Sequence, residues 1–251
     1  DTLRSVSCLN ASSCWVVGDN GRILAWNGSA WSSVTSPVVS RLSGVQARSS
    51  TEAWAVGDAG TILRRKNNAW TQLASGTTQK LRGVWAASGT DAWAVGQGGT
   101  ILRFDGATWS PVGAFTTDFR AVWGSGPNDV WIAGFGRVVH WNGSAFSSQT
   151  LPGDVFSLSG TGPNDVWATG ETARVDHWNG TTWTTGIKPI SKTGSQRLIL
   201  ATCEKGTVED INEMRNIKGG LDKLKKESPN FVEISARQVF KVLDIPSVAD
   251  P

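Results

Sequence analysis

Few residues in this chain could do acid–base or metal chemistry. It has two histidines among 251 residues and no tyrosine. His140 and His177 each precede a tryptophan in the same phrase, H-W-N-G. An imidazole can serve as a general base or as a metal ligand. Two histidines at equivalent points of a repeated unit would lie one unit apart, too far to share an ion, so we expect no metal site.

Hydrolytic chemistry has little support either. Glycosidases need a pair of carboxylates at the scissile bond, and sialidases need a tyrosine nucleophile. The first 186 residues hold only two glutamates, Glu52 and Glu171, and the chain has no tyrosine. A phosphate-binding loop is not indicated either, because the stretch ATCEKGTVED around Cys203 has too few glycines. We therefore predict a protein that is not an enzyme and needs no cofactor, and we leave open an activity in residues 187–251.

The charge of the chain also excludes a class of partner. There are 24 basic and 21 acidic residues, and the net charge is +3. Within the first 186 residues the balance is 13 basic to 12 acidic. A nucleic-acid-binding surface would need a basic excess on one face. We expect no nucleic acid partner and no insertion into a membrane.

The phrase x-W-x-x-G occurs five times, as in AWAVG, at steps of 39, 39, 38 and 36 residues. A period near forty residues is typical of solenoids and propellers. The tryptophans that mark the five units are Trp15, Trp54, Trp93, Trp131 and Trp167.

Each unit alternates apolar and polar residues and has four short β-rich runs separated by turn residues, which predicts a four-stranded antiparallel sheet. Asn-Gly or Asp-Gly precedes the last run in four units, which favours a type I′ turn there. Sheets of this kind bury their faces by stacking around an axis. We predict an all-β fold, a β-propeller of five four-stranded blades, with its tryptophans packed between blades. The blades are about 1–40, 41–79, 80–117, 118–153 and 154–186; closure by these five alone or membership of a larger ring stays open.

Two cysteines replace a recurring pair of small residues in the first unit only. Cys8 and Cys14 flank the turn between its first two strands. We predict a disulfide across that hairpin, and two separately buried thiols are the alternative. A disulfide is typical of oxidising compartments, and the chain opens directly inside the first blade, as a processed protein would. We expect a secreted or cell-surface protein.

The composition changes after residue 186. All fourteen tryptophans lie before this point, and eight of ten lysines lie after it. Residues 187–196 are predicted to be a linker, and residues 197–251 a small α/β module of order β-α-β-α. Its strands are predicted at 197–202 and 230–235, one helix at 211–224, and a second helix from Ser235 to about Leu243. So few residues bury only a thin core, so this module should need a partner: another copy of itself, the side of the propeller or a missing half. A different origin, including an engineered fusion at residues 193–195, is an alternative.

The phrases VSCLNASSCWVVGDNGRILAWNGSAW (6–31) and VWGSGPNDVWIAG (122–134) resemble the tryptophan-rich repeats of secreted myxobacterial and actinobacterial β-propellers. More distantly, AWAVGDAGTIL (53–63) is similar to the repeats of photosystem II assembly factors, and the N-G-x-x-W turn resembles an Asp-box. The resemblance implies a propeller fold and no catalytic motif, because such families share a scaffold and not an activity.

A binding site is predicted where the repeat varies most. In propellers the turns between the second and third strands and the connections between blades share one face, around the channel mouth. The candidate turn residues are Asp19, Asp58, Gln97, Phe135 and Glu171. Three arginines near the start of the first strands could form a partial cationic collar, broken by Ser43 and Phe156 in the other units: Arg4, Arg82 and Arg120.

Two interpretations of that collar stay open. The arginines pair with acidic turn residues and only hold the mouth together, or they receive an acidic partner. The leading hypothesis for function is a recognition module or scaffold that binds a protein, peptide or glycan, a lectin being one form of it. The alternatives are a subunit of a homo-oligomeric, even engineered, assembly and a carrier for an activity in the C-terminal module.

Overall fold

The computed structural model describes residues 2–171, 174–185, 196–202 and 240–246. The chain divides into two compact units, Asp1–Lys188 and Pro189–Pro251. In the first unit, twenty strands form five separate four-stranded antiparallel sheets, each with its strands in chain order. This is the five-bladed β-propeller predicted from the repeat. Among the described residues, no helix is long and apolar enough to cross a bilayer.

Each blade uses four consecutive strands, and the first strands of neighbouring blades pack on one another around the axis. The strands are β1 Leu3–Asn10, β2 Ser13–Gly18, β3 Ile23–Trp26, β4 Trp31–Val34, β5 Leu42–Ser49, β6 Glu52–Gly57, β7 Ile62–Lys66, β8 Ala69–Leu73, β9 Leu81–Ser88, β10 Asp91–Gly96, β11 Ile101–Phe104, β12 Trp109–Pro111, β13 Phe119–Gly126, β14 Asp129–Gly134, β15 Arg137–Trp141, β16 Phe146–Thr150, β17 Val155–Gly162, β18 Asp165–Gly170, β19 Val175–Trp178 and β20 Trp183–Thr185.

The outer turns differ from the prediction. A type I′ turn needs positive φ at both central residues, and only Asn67 and Asn68 of blade 2 meet that condition, with φ of 52° and 62°. In the other four blades only the glycine has positive φ. There the preceding Asn or Asp side chain accepts hydrogen bonds from the backbone two and three residues on, as Asn27 Oδ1 does from Ser29 and Ala30. The side chain thus forms an Asx turn, in which its oxygen accepts hydrogen bonds in place of a backbone carbonyl.

The hydrophobic core lies between the blades, as predicted for the tryptophans. Four apolar clusters join blades 1 and 2, 2 and 3, 3 and 4, and 4 and 5. The second-strand tryptophan of one blade enters each cluster; Trp54, for example, meets Phe104 and Trp109 of blade 3 edge-on, with ring centroids 5.2 and 5.5 Å away. Among the described residues no such cluster joins blade 5 to blade 1.

The predicted disulfide is present: Cys8 and Cys14 are bonded and face each other across β1 and β2. Blade 1 also lacks a contact that the other blades share. A carboxylate at the start of the second strand contacts a side chain of the third strand, which is an arginine in blades 2 and 3 and a histidine in blades 4 and 5. Ser13 and Ala25 hold these positions in blade 1, so the covalent bond lies in the blade without this contact.

The second unit is described only in part. Strand β21, Gln196–Thr202, pairs antiparallel with β22, Phe240–Pro246. Strand β22 contradicts the end of the helix predicted from Ser235 to about Leu243, and residues 235–239 lie outside the described residues. A strand such as β21 requires a ladder partner for its backbone groups, and β22 supplies it. The predicted helix at 211–224 and strand at 230–235 lie outside the described residues.

Candidate functional site

One hydrogen bond recurs at the same end of all five blades. The backbone N–H of the first residue after the second strand donates to the carbonyl of the residue before the first strand, at 2.9 to 3.2 Å. It places two side chains per blade beside each other at the channel mouth. The donor residues are Asp19, Asp58, Gln97, Phe135 and Glu171, the five predicted turn residues. The acceptor residues are Thr2, Arg41, Lys80, Asp118 and Asp154.

The glycine of the x-W-x-x-G phrase makes that approach possible. A Cβ on any of these five glycines would lie between 1.8 and 2.3 Å from the same carbonyl oxygen. No side chain can occupy such a space, so only glycine allows the turn to close onto the first strand. The glycines are Gly18, Gly57, Gly96, Gly134 and Gly170. The repeated motif therefore fixes the backbone of the mouth and leaves the side chains there free to vary.

Alternating charges line the mouth over blades 1 to 3. Arg4 donates two hydrogen bonds of 3.0 Å to the Asp19 carboxylate. Arg41 Nε donates to the same carboxylate at 2.9 Å and lies 4.0 Å from Asp58 Oδ2. Lys80 Nζ lies 2.9 Å from Asp58 Oδ1. The hydrogen bond from Arg4 is the largest cause that lowers the pKa of Asp19 to about 2. The contacts of Arg4 therefore agree with the interpretation in which the arginines pair with acidic turn residues and stabilise the mouth.

A polar pocket of about 350 Å³ opens among these groups. Its lining carries both signs of charge, from Asp19, Asp58 and Arg41, together with Thr2 and Asn20. Each of these charges already has a partner of opposite sign, since Arg4 and Arg41 contact Asp19 and Lys80 contacts Asp58, so the pocket offers paired groups. This part of the mouth is stabilised by its own ion pairs.

Arg82 is also held by a neighbour. Its Nη2 lies 3.4 Å from Asp118 Oδ2, across the boundary between blades 3 and 4. The other oxygen of Asp118 accepts the backbone N–H of Gly98 at 2.8 Å. For Arg82, as for Arg4, the contacts agree with the interpretation in which the arginines pair with acidic residues of the mouth.

Arg120 differs from the other cations at the mouth. Its guanidinium lies over two aromatic rings, 4.5 Å from the centroid of Phe135 and 4.8 Å from that of Phe156. Both rings are exposed, Phe135 to 41% and Phe156 to 45%. No carboxylate among the described residues forms an ion pair with Arg120. Phe156, which takes the place of an arginine in blade 5, contacts Arg120. We call Arg120, Phe135 and Phe156 the mouth triad.

Sequence reasoning found some of these residues and missed others. It placed Arg120 and Phe135 at the mouth but did not foresee their contact. It missed Arg41, Lys80 and Asp118, which pair with the predicted residues. The signal was present, since each precedes the first apolar residue of its repeat and all differ in type. Gln97 and Glu171 occupy the predicted position after the second strand in blades 3 and 5.

The two histidines have structural partners. His140 lies stacked on Trp131, with ring centroids 4.1 Å apart, and its Nε2 is 2.6 Å from Asp129 Oδ1. His177 repeats this arrangement in blade 5 on Trp167 and Asp165. Arg64 and Arg103 fill the same slot in blades 2 and 3. In the part of the chain that the structure describes, no group of three or more His, Cys, Asp or Glu residues could hold a metal ion.

The four-stranded sheets and their packing define the chain as a five-bladed β-propeller, and a solved structure supports the fold. YCF48 from Cyanidioschyzon merolae, a photosystem II assembly factor, aligns with a TM-score of 0.56 at 14% identity, over 73% of this chain and 71% of that chain. A structure of YCF48 bound to D1 peptide aligns with a TM-score of 0.44 at 17% identity, over 73% of this chain and 80% of that chain. No family model and no curated protein matches the chain.

Proposed function

We propose that this chain is a non-enzymatic recognition module that binds a segment of a protein or peptide at the mouth of its propeller. The observation that carries the proposal is the mouth triad. Two exposed phenylalanines hold an arginine between them on a rigid scaffold, at a position that varies from blade to blade. Large aromatic residues and arginine are the side chains that contribute most to protein–protein binding.

The chemistry of the triad suits a partner with an acidic group beside an apolar one. A carboxylate of the partner would pair with the guanidinium of Arg120, whose charge has no carboxylate partner among the described residues. An apolar neighbour of that carboxylate would cover Phe135 and Phe156 and remove their rings from water. The rings also fix the arginine in place, which lowers the entropy lost on binding.

The remaining cations of the mouth contribute less. Arg4, Arg41 and Lys80 each already pair with Asp19 or Asp58, so a partner's carboxylate would have to compete with an existing ion pair. The proposal therefore narrows the predicted collar of three arginines to Arg120 and its two rings.

The setting of this activity belongs to the same proposal. We place the protein outside the cell or at its surface, because its Cys8–Cys14 disulfide suits an oxidising compartment. The resemblance of the repeats to those of tryptophan-rich secreted bacterial propellers fits that setting. A glycan ligand is less well supported, since a lectin with repeated sites would need the same mouth residues in each blade.

A display library of random linear peptides, selected on the full chain, tests the proposal. We expect the selected peptides to be enriched in Asp or Glu beside an apolar residue. Affinity should fall at least about tenfold in the double variant Phe135→Ala/Phe156→Ala, as expected for the loss of a binding hot spot. Lys66→Gln removes an exposed cation at an outer hairpin and is the matched control. Peptides that bind the double variant as tightly as the original chain would refute a site at the triad.

A further inference from the structure

Each joint between neighbouring blades is built from the same two halves. One blade supplies what we call the knob half: the second-strand tryptophan, the residue two positions on, and the third-strand residue that pairs with the latter. In the joint between blades 2 and 3 these are Trp54, Val56 and Ile62. The next blade supplies the socket half: the first and fourth residues of its first strand and a pair of large side chains at its outer edge. Both members of that pair are aromatic except in blade 2, where Arg65 pairs with Trp70.

Blade 1 carries a socket half that no blade of this chain fills. Leu3 is 51% exposed and Val6 is 62% exposed, whereas their counterparts in blade 3, Leu81 and Val84, are 0% and 8% exposed. Trp31 is 47% exposed, against 6% for Trp109 in the same slot.

Blade 5 carries the matching knob half at the other end of the array. Trp167, Thr169 and Val175 occupy the three knob positions, and all three keep part of their surface exposed. Thr169 is the one polar residue among the knob residues; its counterparts are Val17, Val56, Val95 and Ala133.

Both halves already have the geometry of a filled joint. The rings of Trp26 and Trp31 lie 5.5 Å apart at 44°, and those of Trp178 and Trp183, which receive Trp131, lie 5.9 Å apart at 46°. On the knob side, Trp167 is stacked on His177 at 4.1 Å, as Trp131 is on His140. A surface that is already shaped for its partner loses little entropy when the partner binds.

We propose that the socket half of blade 1 binds the knob half of blade 5 from a second copy of this chain. The contact continues an interface that the chain forms four times within itself, and one chain carries both of its halves. Because the two halves differ, the association is head-to-tail, and it forms a ring or a filament according to whether the rotation closes. The hydroxyl of Thr169 makes this joint weaker than the internal ones, so assembly depends on protein concentration.

Sedimentation of the full chain and of two charged variants tests the proposal. Val6→Glu blocks the socket, and Thr169→Glu blocks the knob. The unmodified chain should form species heavier than one chain of 26.7 kDa as its concentration rises, and each variant alone should stay monomeric. An equimolar mixture should form a dimer of one copy of each, because every mixed pair retains one intact knob and one intact socket. Lys66→Glu should assemble like the unmodified chain.

Two further variants, Trp31→Glu for the socket and Val175→Glu for the knob, repeat the test should either first variant fold poorly. Assembly that persists in both single variants would place the contact elsewhere and overturn the proposal. A chain that stays monomeric at every concentration, or a mixture of variants that forms no dimer, would overturn it as well.

Discussion

The joints between blades and the mouth of the channel follow opposite rules. At the joints the side chains recur: an indole, an aliphatic residue and an aromatic pair meet in nearly every blade. At the mouth the backbone recurs, through the same hydrogen bond and the same glycine, and the side chains differ in almost every blade. The fold is thus held by side chains at the joints, and a mouth held by its backbone can vary its side chains for binding.

Two arginines illustrate the difference between the joints and the mouth. Arg103 lies over Trp93 at 5.0 Å, and its Nη2 lies 2.9 Å from Asp91 Oδ2, so it forms both a ring contact and an ion pair inside a joint. Arg120 lies over Phe135 at 4.5 Å and has no carboxylate partner among the described residues. Both arginines lie over an aromatic ring. The guanidinium of Arg103 is also neutralised by Asp91, whereas that of Arg120 can still pair with a carboxylate of a partner.

The largest loss of stability should come from removing a large side chain that is packed between two blades. Trp109→Ala removes an indole that is 6% exposed, and it should lower the free energy of unfolding by about 3–5 kcal/mol, as expected for a large cavity in a packed core. Trp31→Ala changes the same slot of the repeat in blade 1, where the indole is 47% exposed. It should cost less than about 1.5 kcal/mol in urea unfolding of the monomer. Equal costs would mean that blade 1 is covered as fully as the inner blades.

A smaller effect should come from the buried carboxylate of blade 2. Burial raises the pKa of Glu52, but hydrogen bonds from Arg48 and Arg64 outweigh it, and the pKa ends below its usual value. A carboxyl group whose pKa is lower in the folded state stabilises the fold above its unfolded pKa, and this contribution is lost as pH falls through its folded pKa. Glu52→Gln should therefore cost about 2–3 kcal/mol at neutral pH, and the difference should shrink in acid.

Urea titrations of both chains at neutral pH and at successively lower pH values measure this dependence. Lys66→Gln, at an exposed charge of the same blade, is the control and should change the unfolding free energy by less than about 0.5 kcal/mol. A constant difference between Glu52→Gln and the original chain at all pH values would show that the charge of Glu52 does not stabilise the joint.

The sequence was most informative where the repeat is strictest. The five tryptophans and their spacing predicted the blades, because an interface built from recurring side chains leaves a recurring pattern. The Cys8–Cys14 bond was visible as a break in that pattern. The contact of Arg120 with Phe156 was not, since the two residues belong to different repeats and meet only when blades 4 and 5 pack. The outer turns were misjudged because Asn-Gly suits both a type I′ turn and an Asx turn. Strand β22 was missed because its partner in the sheet, β21, is far from it in the sequence, so no local pattern indicates the pairing.

The most direct test compares Arg120→Gln with Arg103→Gln, using a peptide selected on the original chain. Arg120→Gln should weaken peptide binding at least about tenfold and shift the melting temperature by no more than about 2 °C. Arg103→Gln should leave the affinity unchanged and lower the melting temperature by about 4–8 °C, because it strips Asp91 of its partner in a joint. If Arg120→Gln instead lowers the melting temperature as Arg103→Gln does and leaves the affinity intact, the mouth triad is structural and the proposed function is wrong.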